Sequence, residues 1–378
     1  VITRQDIERR QARSVEDLLR GTPGLTLDNR GGIGKSTSVF LRGTESDHVL
    51  VLIDGVKIGS ATLGSAAFQD LPVELIERIE IVRGPRSSLY GSEAIGGVIQ
   101  IFTRKGAAGF KPFAAIGGGR YRSYSAAAGV SDGTARGSYS LSVEGMGTNG
   151  FNACDGKPSP NGAGCFVIEP DKDGYRNVSG SARAGYRFAN RAEVDVNVLR
   201  AEGKNQFDGG FVNESKSVQQ VVGSRLRFSP LAAWHVLLAA GRSRDESDNF
   251  KDGAFKSRFD TERDTLSFQN DFSVGKAQLL TVGLDYQDDR IDSTTAYAVT
   301  SRDNKGLFAQ YQAGFGQHDV QASLRRDDNE QFGRFTTGGA AWGYGLGNGL
   351  RLTAIPGYRP RMSRPNRTPT PAAMAMAA

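Results

Sequence analysis

The stretch RGPRSSLYGSEAIGGVIQIFTRKG, residues 83–106, decides how this chain is read. It holds five glycines and a proline, then ends in a fluent strand, Val98-Ile99-Gln100-Ile101-Phe102-Thr103. Gly84, Gly91, Gly96 and Gly97 permit backbone turns and close packing that a Cβ forbids. Arg83, Pro85, Arg86 and Tyr90 complete the corner. Such a rigid corner, followed by a long tract of different style, marks a boundary near residue 106.

Upstream of the boundary the signals are those of a compact α+β domain. Ser14-Val15-Glu16-Asp17 is a capping-box pattern ahead of Leu18 and Leu19, and Gly21 with Pro23 ends that short helix. Strands are predicted over Ser36–Leu41 and His48–Ile53. Asp54-Gly55 is a hairpin turn into Val56-Lys57-Ile58. Glu74–Arg78 is predicted as a helical turn before the strand Ile79–Val82, and Gly59–Phe68 as an exposed loop.

Downstream, helical periods vanish and segments of about ten residues alternate strictly. Val178, Gly180, Ala182, Ala184, Tyr186 and Phe188 point one way, and Ser179, Ser181, Arg183 and Arg187 the other. Ala192, Val194, Val196 and Val198 alternate with Glu193, Asp195 and Asn197, and Leu307, Ala309, Tyr311, Ala313 and Phe315 repeat the theme. Thr265–Val274 and Ala277–Asp285 do the same. A soluble sandwich also alternates, with its apolar face inside. Charges on nearly every polar face, short turns at one end (Ala189-Asn190, Gly275-Lys276) and long polar loops at the other favour a transmembrane β-barrel with a polar lumen.

Composition agrees. Among 378 residues, 49 are glycine, 9% are aromatic and 38% hydrophobic, which suits short strands and many turns over a large aliphatic core. No apolar run is long enough for a transmembrane helix. The net charge of +6 is spread among acids, so no nucleic-acid patch is expected. Enzymatic motifs are lacking: there is no phosphate loop, no Gly-x-Ser-x-Gly elbow and no Cys/His pair. Cys154 and Cys165 share one Gly/Pro/Asn-rich loop and read as a disulfide in an oxidising compartment, or as two surface thiols.

A compact domain ahead of a barrel with a polar interior suggests a plug in a pore. Residues 83–99 resemble the plug signature of TonB-dependent outer-membrane receptors. So does Phe40-Leu41-Arg42-Gly43 followed by Val51-Leu52-Ile53-Asp54-Gly55-Val56. The likeness is closest to the cobalamin receptors of that family and extends to Arg326–Arg334. It implies a plug over 1–105, a barrel over 106–355, TonB and outer-membrane lipid as partners, and a Gram-negative outer membrane as location. It also implies energised uptake of cobalamin or a related corrinoid. A siderophore or haem receptor of the same family is the first alternative, and a non-transporting adhesion protein the second.

The resemblance further implies sites. Arg83 and Arg86 are expected to reach wall carboxylates, such as Glu193 or Asp195. Glu169-Pro170-Asp171-Lys172-Asp173-Gly174 puts carboxylates at alternate positions, which by itself fits either a calcium site or a solvated turn. The family's calcium loops match it, giving Glu169, Asp171 and Asp173, with Asn152, the Phe207 carbonyl, Asp208 and Asn213 as further ligands. Two of these are Asn where the family has Asp, which lowers the site's charge. Corrinoid contacts fall on Arg30, Ser36, Ser38 and Glu45 of the apex loops, on Leu63 and Gly64, and on Phe259 in the loop before the Thr265 strand.

The family barrel has about 22 strands, whereas residues 106–355 supply about twelve or thirteen. Residues 356–378 hold five prolines and no strand pattern, so a frameshift or premature end is expected there, in a chain that closes no pore. The TonB-binding segment is expected before Val1.

Overall fold

The computed structural model describes residues 1–154, 156–157, 167–347 and 350–354. Cys165 and the tail 356–378 lie outside the described residues.

The N-terminal domain runs β1 (Ile2–Thr3), α1 (Arg4–Arg10), α2 (Val15–Leu19), β2 (Leu25–Asn29), β3 (Thr37–Leu41), β4 (Val49–Ile53), β5 (Val56–Ile58), β6 (Ile76–Arg83), α3 (Ser87–Tyr90) and β7 (Gly97–Thr103). Its five-stranded sheet has the order β1-β6-β7-β4-β5, with β4 parallel to β7, and β2–β3 form a separate ribbon. Ile7, Val15, Leu18, Leu19, Ile53, Ile79 and Ile99 pack its core. Ser14 caps α2, its hydroxyl accepting from the Asp17 amide at 3.3 Å. The sequence reading misses α1, which opens on a Thr3–Asp6 capping box. The helical turn expected over Glu74–Arg78 is instead the start of β6, because Ile76, Arg78 and Ile79 are held by partners on β7 and β1. Tertiary pairing overrides the local signal there.

Thirteen strands follow in one antiparallel meander: β8 (Lys111–Gly119), β9 (Ser123–Gly133), β10 (Gly137–Thr148), β11 (Tyr175–Arg187), β12 (Glu193–Gln206), β13 (Glu214–Leu231), β14 (Trp234–Lys251), β15 (Ala254–Val274), β16 (Gln278–Ser293), β17 (Ser301–Phe315), β18 (His318–Asn329), β19 (Gly333–Gly347) and β20 (Leu350–Ala354). Among the described residues the sheet does not close: β8 and β20 stand at its two edges. Strands β13–β15 are longer than the 9–11 residues a bilayer needs, so they project beyond it on one side. The strand expected from Thr265 begins at Ala254, which places Phe259 inside β15 and not in a loop.

Burial separates barrel from sandwich. The polar residues Asn177, Ser179, Asp195 and Asn197 are buried, while Val178 is 67% exposed and Val196 43%. The apolar face points outward, as lipid requires. Trp234 stacks on Phe272, and Trp342 on Tyr344, beside the short turns 232–233 and 316–317. These rings form an aromatic girdle at one interface. The N-terminal domain lies against the inner face, where Leu199 and Ala201 of β12 and Val221 of β13 join its core.

Candidate functional site

Two groups of residues join the plug to the wall. The first surrounds α3, the helix inside the stretch 83–106. Gly91 ends it at φ +92°, a conformation that L side chains avoid, and Gly97 lies so close to β6 that a Cβ would meet the Val82 carbonyl at 2.3 Å. The last carbonyls of a helix lack partners within it. Here Lys57 Nζ donates to the Tyr90 carbonyl at 2.8 Å, and Arg325 from β18 donates to that of Leu89 at 3.3 Å. Arg325 is 1% exposed and is also held by Asp327 at 2.9 Å and Asp285 at 2.7 Å. Just beyond α3, Glu93 accepts from Arg263 of β15 at 2.8 Å, and Arg263 in turn binds Asp289 at 2.7 Å. On the far side of the domain, Arg183 of β11 binds Asp54 at 2.9 Å and Asp195 at 3.0 Å.

The polarity of this lock reverses the expectation. Wall arginines reach plug carboxylates and carbonyls. Arg83 is exposed and donates to the plug's own Pro23 carbonyl at 3.1 Å, and among the described residues neither Arg83 nor Arg86 forms an ion pair. Asp195 is taken by Arg183 and Arg225, and Glu193 by Arg187. Arg83 closes β6 opposite Gly97, where its side chain lies over the plug.

The second group stands at the apex. Lys35, from the turn between β2 and β3, is buried and donates to the Asp173 carbonyl at 3.0 Å, the Gly174 carbonyl at 3.4 Å and Asn205 Oδ1 at 2.7 Å. Burial pulls its pKa down to about 8, and Asp173 and Asp208 oppose that shift. Asp208 is pushed up to about 6, first by desolvation and then by Asp173 and Asp171. Both its carboxylate oxygens are buried without a hydrogen-bond partner among the described residues. The Asp173 carboxyl and the Cys154 amide lie near it, and that amide donates to Asn152 Oδ1 at 2.9 Å.

The other expected ligands divide differently. Glu169 forms an ion pair with Lys251 and accepts from the Gly209 amide at 3.1 Å and Asn213 Nδ2 at 3.2 Å. Asn152 donates to the Glu169 carbonyl at 3.1 Å, and its Oδ1 accepts from the Cys154 amide at 2.9 Å. Glu169 thus links Lys251, Asn213 and, through its carbonyl, Asn152, while Asp171 acts on both Lys251 and Asp208. Asp171 is exposed and Asp173 buried. Among the described residues no three His, Cys, Asp or Glu side chains are assembled as metal ligands. Two buried Asp208 oxygens without a hydrogen-bond partner among the described residues nevertheless fit a hard cation. Cys154 is buried.

The expected corrinoid contacts are spread along the apex. Arg30 and Ser36 flank the β2–β3 turn and are exposed, and Ser38 lies on β3. Glu45 precedes a short 3-10 turn, Ser46–His48. Leu63 is 73% exposed, and Gly64 beside it belongs to a loop tied to the wall by the Ala61 amide, which donates to Thr261 Oγ1 at 3.0 Å. Phe259 is two residues from Thr261 on β15. Sequence reasoning misses Lys35, Lys251, Asp70 and Tyr175. Tyr175 follows the acidic run directly, and its hydroxyl donates to Asp70 at 2.8 Å.

Comparison with known proteins follows the same division. The family model described as TonB-dependent Receptor Plug Domain matches residues 1–98. The chain is 31% identical to the vitamin B12 transporter BtuB of Photobacterium profundum, over 98% of its own length and 62% of that relative. It is 32% identical to BtuB of Vibrio cholerae, over 91% of the chain and 56% of the relative. The chain therefore spans less than two thirds of these relatives. Among solved structures, the ferric enterobactin receptor PfeA of Pseudomonas aeruginosa superposes with a TM-score of 0.79 at 16% identity, covering 94% of this chain and 60% of that one. The siderophore receptor PirA of Acinetobacter baumannii gives 0.75 at 19% identity, covering 93% and 59%. At such identities the structural likeness concerns the fold alone.

Proposed function

The chain belongs to the TonB-dependent receptor family of the Gram-negative outer membrane, and from that premise we propose that it takes up cobalamin or a related corrinoid, energised by TonB. Relatives of this family are receptors and transporters rather than enzymes. Identity to vitamin B12 transporters at 31% and 32% supports the corrinoid over a siderophore, for which the support is fold likeness below 20% identity.

The observation that carries the reading is the Asp208 carboxylate at the apex beside Asp173, whose buried oxygens have no hydrogen-bond partner of ordinary geometry among the described residues. Two such groups held together without compensation repel, which a divalent ion relieves. Asp171, Asp173 and Asp208 would hold calcium in that role. Glu169 would join them only by leaving Lys251. Calcium held by these carboxylates would fix residues 169–174 against the plug apex, from Arg30 to Glu45 together with Leu63 and Gly64, and present it to the ligand. A Cys154–Cys165 link would stiffen the same segment.

The test is corrinoid binding by the intact receptor, with calcium and with a chelator. Asp171→Ala combined with Asp173→Ala is expected to weaken calcium-dependent cyanocobalamin binding about tenfold or more, since ligand charge sets calcium affinity. Affinity that ignores the chelator in both proteins removes the calcium assignment. Binding of a ferric siderophore in place of cyanocobalamin removes the corrinoid.

A further inference from the structure

The turn that joins β4 to β5 leads into Val56, and the wall meets that residue with two glycines. Asp54 and Gly55 both hold positive φ, 48° and 86°, as in the tight two-residue hairpin whose twist matches its strands. Val56 follows directly, 4% exposed and stiff at χ1 because it branches at Cβ. Opposite it, Gly223 of β13 and Gly241 of β14 are cross-strand partners. A Cβ on Gly241 would meet Val56 Cγ2 at 2.6 Å and Cγ1 at 2.8 Å, and one on Gly223 would meet Cγ2 at 2.8 Å. Neither glycine has a positive φ, so the backbone does not require them. Glycine inside a strand weakens it and marks a close approach by another part of the chain. Here the two missing side chains open a notch on the inner face, and the methyls of Val56 fill it. Asn197 of β12 and Thr265 of β15 bound the notch in the same rung.

Shape, more than charge, fixes position here. Arg183 reaches Asp54 at 2.9 Å, but a long side chain with many rotamers can follow a shifted partner. A branched pair of methyls in a notch cannot. Sliding the hairpin by one rung sets Val56 against Val221 and Ser243, or against Arg225 and Ala239, where side chains occupy the space. Strand β5 is also one edge of the five-stranded sheet, so the notch grips the edge opposite the N-terminal strand β1. The geometry points to Val56 as a positioning residue: lodged between Gly223 and Gly241, it sets the register at which the plug seats in the barrel and so keeps the pore sealed. The ion pairs of Asp54 with Arg183 and of Glu93 with Arg263 then close around a plug already in place. This role is independent of which ligand the receptor carries.

The test uses the full-length receptor in outer membranes. Gly241→Ala is compared with Gly145→Ala, the same change on β10 at a position where a Cβ meets nothing within 4 Å. Hydrogen exchange over residues 51–58 and sensitivity of the cells to vancomycin are the two readouts. Gly241→Ala is expected to raise each about tenfold, the scale of one extra methyl forced into a packed interior, while Gly145→Ala leaves both unchanged. Adding Val56→Ala to Gly241→Ala removes both clashing methyls and is expected to restore both readouts. A Gly241→Ala receptor that matches Gly145→Ala, or a defect that Val56→Ala does not relieve, overturns the proposal. Each variant is first shown to be heat-modifiable. Should Gly241→Ala fail that check, Val56→Ile enlarges the knob against a native wall and carries the same expectation, and parental exchange and sensitivity in that variant overturn the proposal equally.

Discussion

Asp70 shows how one buried acid makes the plug's seat sensitive to pH. It is 4% exposed and accepts from the hydroxyls of Tyr175 and Ser217, each at 2.8 Å. Desolvation nevertheless dominates and pushes its pKa up to about 6. A raised carboxylate favours the folded state below its unfolded pKa near 4, and that gain fades as pH climbs through about 6. The cost above that pH is roughly 3 kcal/mol. Thermal unfolding followed from about pH 7.5 to about pH 5 is expected to show the receptor gaining stability relative to Asp70→Asn. Parallel curves for the two proteins would remove Asp70 from the account. Lys35 acts at the same scale with three hydrogen bonds to wall and loop oxygens. Each bond to a charged group contributes about 1.5–3 kcal/mol. Lys35→Met is expected to raise hydrogen exchange in residues 30–36 and 173–175 while leaving β6 and β7 protected.

At the scale of elements, α3 is held both by its own domain and by the wall. Its closing carbonyls are capped by Lys57 and Arg325, Ser323 Oγ lies 2.9 Å from Ser88 Oγ, and Glu93 is held by Arg263. Breaking a fully buried pair from one side costs about 3–5 kcal/mol, and less here because the Glu93 side chain is 30% exposed. Arg263→Met strands Glu93 and leaves Asp289 to Arg302 and the Gln287 amide. That variant is expected to loosen α3, seen as faster hydrogen exchange over 87–97 and increased entry of large hydrophilic antibiotics. Glu93→Gln, which keeps a hydrogen-bonding group opposite Arg263, is expected to do so far less. Identical exchange in both variants would show that α3 is held by packing instead.

At the largest scale, the thirteen described barrel strands form a sheet that does not close on itself. Strands β8 and β20 each leave one side unpaired among the described residues. Lipid offers no partner to those N–H and C=O groups, and each costs several kcal/mol there. A polypeptide limited to these 378 residues is therefore expected to aggregate or be degraded, rather than insert as a monomeric barrel. Recovery of heat-modifiable, protease-resistant protein from outer membranes would contradict this.

Much of the fold is legible in the chain because it rests on local rules. Strict alternation over Val178–Phe188 and again over Ala192–Val198 fixes which face meets lipid, since a one-residue slip exchanges the two faces. Likewise, Gly91 and Gly97 mark a corner that no residue with a Cβ enters without strain. The strand reading of 178–198 and the plug signature hold for that reason. Long-range pairing is a different matter. Nothing near Glu74 reveals that β6 begins at Ile76, because its partners lie on β1 and β7. Equally, no spacing rule links Arg263 to Glu93 or Lys35 to Asp173, which stand more than a hundred residues apart in the chain. Charge pairing across a lumen depends on where the curved wall puts each side chain. The direction of the lock, wall arginine onto plug acid, therefore belongs to the tertiary structure.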